Sequence, residues 1–251
     1  MSEPHLKLAS PPIIEAVLDI DCDLPPDREF TALETEARER YHASYPGFET
    51  RFMFEHEFET QAGIPSKTST RHGIQGYLFR SDDGRQLVQV RNEGFTFNRL
   101  SPYSSLDDYM PEIARTWRIF VEITSPVSIR VIRLRFINRI LLPLELGKVE
   151  LNDYLTVGPR LPSSSDFTFT GFLNQSLAIE KSTGSEVKTT LTSQPIENGK
   201  LPVIFDIIVA GGGQMDCGDW SAIASKIRLL RSLKNRIFRD TLTGKCLLLF
   251  Q

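Results

Sequence analysis

Three arginines in the stretch VIRLRFINRI, residues 131–140, fall at Arg133, Arg135 and Arg139, and period-two alternation puts all three on one face of a predicted strand. Alternate side chains on one strand face stand about 7 Å apart, which matches successive phosphates or carboxylates. That is chemistry for an anion, either a nucleic-acid backbone or an acidic partner. The same spacing also suits internal pairing. Residues 13–22, IIEAVLDIDC, alternate as well and set Glu15, Asp19 and Asp21 opposite Ile14, Ala16, Leu18, Ile20 and Cys22. Two such strands side by side neutralise each other in cross-strand pairs worth about 0.2–1 kcal/mol each. The paired reading is the favoured one.

A second basic feature lies near the C-terminus. WSAIASKIRLLRSLKNRIFRD, residues 220–240, has the period of an amphipathic helix, with Ile223, Ile227, Leu230, Leu233 and Ile237 on one face. Arg228, Arg231 and Arg239 lie roughly opposite, and Lys226, Lys234 and Arg236 fall nearer the edges. No acid interrupts this run, which suits a surface for a protein or nucleic-acid partner. A solvated face, helped by cations near the helix C-terminus, explains it too. No aromatic residues interleave with the cations to stack bases. The candidate partner or anion surface is therefore Arg133, Arg135, Arg139, Arg228, Arg231 and Arg239.

Signals for catalysis or cofactor binding are poor. In VAGGGQMDCGDW, residues 209–220, Gly213 and Gly218 have the separation of a phosphate-binding loop, but Asp219 and Trp220 stand where Lys and Ser or Thr are required. Asp219 reads instead as a helix N-cap. His5, His42, His56 and His72 show no metal-ligand spacing, and no nucleophile elbow is present. Asp82-Asp83-Gly84 reads as a hairpin turn. Phe52, Phe54, Phe79, Phe95 and Phe97 would fill a core or line an apolar cavity. No catalytic, metal or cofactor residue is assigned, and no cofactor is expected.

The elements that carry these residues alternate between strand and helix patterns. After the first strand, Asp27 is the predicted N-cap of a helix reaching about Tyr41. Residues 48–58 form a strand with Phe48, Phe52, Phe54 and Phe58 on one face, and residues 60–71 a loop. A three-stranded meander follows, with turns at Asp83-Gly84 and Glu93-Gly94. A helix over about 106–123 carries Tyr109, Ile113, Trp117 and Phe120, with Pro111 near its start. The arginine strand spans 128–142. Beyond a linker at 157–169, strands at about 170–181, 185–194 and 201–210 precede the basic helix. The fold class is α+β, with two related halves, each an antiparallel meander packed with helices. The N-terminal half is 1–156 and the C-terminal half 170–251.

The chain has 251 residues and a formal net charge of −3, so it offers no overall basic field to nucleic acid. Charge is unevenly spread: residues 1–70 hold 14 acidic and 6 basic side chains, and residues 221–251 hold 7 basic and 1 acidic. Cys22, Cys217 and Cys246 form no CxxC pair, which fits a reducing cytoplasm, the expected location. No run of residues is apolar enough to span a bilayer, and no membrane association is expected.

PPIIEAVLDI, VQVRNEGFTFNRLSPY with Trp117 downstream, and RLRFINRI followed by DYL resemble a sporadically distributed bacterial family of uncharacterised proteins of about this length. The likeness extends to LLRSLKNRIFRDTLT near the C-terminus. Patchy distribution implies neighbourhood with antiphage-defence or toxin–antitoxin genes, and the resemblance carries no catalytic residues. The resulting expectation is a non-enzymatic protein that binds a protein partner from the same small operon. One alternative is a nucleic-acid-binding accessory factor that uses the arginine strand and the basic helix. The other is a small-ligand-binding or hydrolytic domain with a phenylalanine-lined cavity.

Overall fold

The computed structural model describes residues 8–27, 29–59, 67–159 and 170–251. Nine antiparallel strands form one continuous sheet. They are β1 (Ile13–Asp23), β2 (Gly47–Glu59), β3 (Lys67–Arg80), β4 (Gln86–Arg91), β5 (Gly94–Leu100), β6 (Ser128–Pro143), β7 (Leu173–Ile179), β8 (Glu186–Ser193) and β9 (Lys200–Met215). Their spatial order is β2-β3-β4-β5-β1-β6-β9-β8-β7. Four helices are described: α1 (Glu34–His42), α2 (Leu106–Thr124), α3 (Trp220–Thr241) and the single turn α4 (Gly244–Leu247). No described helix is long and apolar enough to cross a membrane.

The expected α+β class holds, and the sheet does not divide at the anticipated linker. β6 pairs with β1 on one side and β9 on the other, so one sheet runs through both segments. Of residues 157–169, positions 160–169 lie outside the described residues.

Alternation gives the sheet two unlike faces. Ile132, Leu134 and Phe136 of β6 and Phe205, Ile207 and Val209 of β9 are buried against the helices. α2 contributes Ile113, Trp117, Phe120 and Ile123 to this core, and α3 contributes Ile223, Ile227, Leu230 and Phe238. Ser105 caps α2 by accepting from Asp107 N, and Pro111 is accommodated within its second turn. Asp219 caps α3, as its sequence position predicts, accepting from Ala222 N at 3.0 Å. Trp117 Nε1 donates to the Cys217 carbonyl at 3.0 Å, tying α2 to the segment that leads into α3. The opposite face carries Glu15, Asp19, Asp21, Arg133 and Arg135, and none of the described helices packs against it.

Several boundaries differ from the sequence expectation. Asp27 lies in a turn and is not the N-cap of α1; a short 3-10 turn over Phe30–Leu33, preceded by Glu29, leads into α1. Residues 67–71 belong to β3 rather than a loop, because they pair with β2 from Glu55 to Glu59. Opposite Arg51 and Phe52, β3 carries an extra residue, Gln75, which shifts the β2–β3 register. Phe48 packs against Tyr77 and Phe79, whereas Phe52, beyond the bulge, is 57% exposed. The glycines at 211–213 lie within β9, so they form no loop at a helix N-terminus.

Candidate functional site

The arginines of β6 sit on the helix-free face, each beside a carboxylate. Asp19 is directly opposite Arg133 in the β1–β6 register, but Arg133 Nη2 reaches Asp21 at 3.2 Å. Asp21 also meets Arg91 of β4 at 2.7 Å and so bridges two guanidiniums. Arg91 lies 3.7 Å from Asp19, whose Oδ1 also accepts from the Thr96 hydroxyl at 2.5 Å. Arg135 turns away from β1 and grips Asp206 of β9 through Nε at 3.0 Å and Nη2 at 2.8 Å. This contact raises the Arg135 pKa further. Arg139 pairs with Glu197 in the turn before β9. Glu15 accepts from Asn98 Nδ2 at 2.7 Å. The row is thus a charge-compensated lattice across β4, β1, β6 and β9.

The other three arginines lie on α3, behind the opposite face of the sheet, so the six form no common surface. Arg228 is exposed and has no ion-pair partner among the described residues. Arg231 is only 15% exposed at its side chain and bonds Asp107 of α2 at 2.7 Å. Arg239 is half-buried and engaged. Of the phenylalanines singled out in the sequence, Phe79, Phe95 and Phe97 are buried in the core, Phe97 beside a small apolar cavity, and the Phe54 side chain lies outside the described residues.

A cavity of about 700 Å³ opens elsewhere, on the helix side of the sheet. Phe136 and Asn138 of β6 form its floor, and Arg231, Lys234 and Phe238 of α3 form one wall. The facing wall is the segment from Tyr103 to Asp108 that enters α2, and residues Leu8–Ile13 form the rim. The Tyr103 ring meets Phe136 edge-on at 5.8 Å, and the Arg231–Asp107 bridge ties the two walls together. Asn138 donates from Nδ2 to the Phe205 carbonyl at 2.9 Å.

Lys234 is the unusual member of this site. It is 8% exposed, and its ammonium lies 4.1 Å from the centroid of the Phe136 ring. No carboxylate among the described residues lies within 4 Å of it. Burial, reinforced by the Arg231 charge, pulls its pKa down to about 7. An amine poised there is half protonated near neutral pH, and the ring's negative face favours its charged form by about 0.5–2 kcal/mol. Burial pushes the Tyr103 hydroxyl in the opposite direction, upward, so it stays protonated and neutral.

The sequence contained a signal for Lys234. Ile223, Ile227, Leu230, Phe238 and Thr241 are buried on α3 at spacings of three and four, and Lys234 falls in the gap between Leu230 and Phe238. A lysine in a core stripe is a mark of function or of a hidden counter-charge. Placing Ile237 with Leu233 in the stripe turned the predicted face and left Lys234 at its edge; Leu233 is buried as expected, whereas Ile237 is only half-buried.

Among the described residues, no cluster of three or more His, Cys, Asp or Glu side chains is arranged to hold a metal ion. No protein-family model and no curated protein matches this chain.

Proposed function

We propose that the protein is a ligand-binding module that takes a small organic molecule into the cavity between α2, α3 and β6. A single observation carries this reading: about 700 Å³ of space lined by Tyr103, Phe136 and Phe238 converges on a buried lysine that lacks a carboxylate partner among the described residues. Small-molecule sites have this composition, apolar walls with a few placed polar groups, and this range of volumes. The reading keeps the ligand-binding alternative from the sequence but moves it away from the phenylalanines that suggested it. The test is ligand-observed NMR of the whole protein against a library of small organic acids, amides and alcohols. Saturable binding that is lost when Pro12→Trp narrows the rim supports the reading. Absence of binding by every compound overturns it.

We also propose that the sheet derives from two related halves. Strand order supports this. β1 leads through α1 to the edge strand β2, and the chain steps inward through β3 and β4 to β5, which pairs with β1 before α2. β6 leads to the opposite edge, β7, and returns through β8 to β9, which pairs with β6 before α3. On this reading the cavity sits near the junction of the halves.

A second functional reading, binding of a protein partner from the same operon, is favoured by β7. This sheet-edge strand reads LNQSLAI, without charge or proline, and exposes Leu173, Leu177 and Ile179 on one face. Edges left so unguarded accept an added strand from another chain. Size-exclusion chromatography of Leu177→Lys with the co-expressed operon neighbour tests it; an unchanged complex overturns this reading.

A further inference from the structure

Resting on the ligand-cavity reading, we infer that the ligand is a carboxylate monoanion whose acid group binds at Lys234 while its apolar part lies along Phe136, Tyr103 and Phe238.

An ammonium removed from water costs several kcal/mol unless a counter-charge or hydrogen bonds replace the solvent. Lys234 has only the Phe136 ring as compensation among the described residues. The charged and titratable groups around it do not supply the missing anion. Arg231, one turn earlier on α3, repels it. Asp107, on the facing wall, is already bonded to Arg231. Asp108 lies beside Asp107 on the first turn of α2, with no ion pair to Lys234. Tyr103 is held neutral by burial. From β6 the lysine meets Phe136 and Asn138, both uncharged, and the rim residues Leu8–Ile13 carry no charge.

This arrangement also sets the ligand's charge number. One unpaired cation accommodates one negative charge. A phosphate dianion would leave its second charge uncompensated beside Asp107 and Asp108, because Arg231 is committed to Asp107. A carboxylate matches Lys234 in charge, and aromatic rings on three sides suit an aliphatic or aromatic tail.

Proton uptake follows from the same chemistry. A bound carboxylate favours the ammonium, so above about pH 7, where the free site is largely a neutral amine, binding draws a proton from solution. Below pH 6 the lysine is already charged and uptake vanishes. Carboxylate affinity therefore weakens as pH rises through the lysine's own titration.

The experiment uses the wild-type protein with four probes, hexanoate, benzoate and their amides hexanamide and benzamide, by calorimetry in phosphate and in Tris. The expected result at pH 6.5 is that each acid binds at least about tenfold more tightly than its amide, a gap of about 1.4 kcal/mol. At pH 8, the difference in apparent enthalpy between the buffers should report net proton uptake on acid binding and none on amide binding. Lys234→Met should abolish both the acid preference and the uptake while retaining amide binding. Equal affinities for acids and amides without proton uptake would overturn the carboxylate inference and leave the cavity reading standing. Failure of all four probes, together with a silent compound library, would remove both.

Discussion

The ammonium of Lys234 on α3 lies 4.1 Å from the centroid of the Phe136 ring on β6, across the floor of the cavity of about 700 Å³ beside the helices. This contact joins a helix to the sheet through a group that is destabilising while charged and unliganded. The folded-state pKa, about 7, is below the unfolded value, so between the two the unfolded chain binds more protons. Stability of the unliganded protein should accordingly rise from pH 7 towards pH 9, by at most about 1.4 kcal/mol per pH unit from this group. Urea denaturation of wild type and Lys234→Met across that range checks the prediction. The variant should be the more stable of the two at pH 7, with the gap closing as pH rises.

Asp21 bridges Arg91 and Arg133 from three strands' worth of separation in the sheet, and only 16% of its side chain is exposed. Asp21→Asn keeps the shape and leaves two guanidiniums facing each other without the shared carboxylate. The expected loss is about 1–3 kcal/mol. Arg135→Ser, which disturbs a pair whose arginine is 44% exposed, should cost no more than about 1 kcal/mol. Equilibrium denaturation ranks the two.

Gly94 opens β5 with φ +143°, and an added Cβ there would lie 2.1 Å from the Ile20 carbonyl of β1. Gly94→Ala should therefore force β5 and β1 apart and cost about 3 kcal/mol or more. Gly213, at φ +131° on β9, has open space around its missing Cβ, so Gly213→Ala should incur backbone strain alone, about 1–2 kcal/mol. The difference in thermal midpoint between the two variants measures the close strand approach.

The two arginines at 228 and 231 should behave differently despite their closeness in sequence. Arg228→Ser should shift stability by no more than about 0.5 kcal/mol, as for other exposed charges. Arg231→Ser breaks the bridge to Asp107, costs about 1 kcal/mol, and frees the wall of the cavity next to Lys234. Hydrogen exchange at the start of α2 should accelerate only in the second variant.

Alternation made β1 and β6 legible, because a strand with one apolar and one ionic face has a single consistent reading. Their adjacency followed from complementary charge, yet the individual partners did not. Arg135 chose Asp206 and Arg139 chose Glu197, both more than fifty residues away in a strand and turn whose register no local pattern encodes. The exposure of Phe52 had no local signal either: the extra residue of the bulge, Gln75, sits in the partner strand β3, and Phe52 and Met53 are both exposed beyond it. At Lys234, two neighbouring stripes on α3 fit a helical period almost equally well. Only the packing of Phe238 against Phe205 decides between them.

The β1–β6 seam holds together strands whose ion-paired residues, Asp21 and Arg133, are 112 positions apart. α2 ends at Thr124 and β6 begins at Ser128, so a break in the intervening three residues severs no strand pairing. Each fragment would then carry half of a lock. The first would bare β1 with its carboxylates, and the second would bare β6 with its arginines, in matching register along ten residue pairs. Co-expressed as separate polypeptides, the pieces should find each other and regenerate the ligand cavity, whose floor and α3 wall come from one fragment and whose facing wall comes from the other. A molecule built around such a seam is a natural two-part reporter: its cavity exists only when both parts are present.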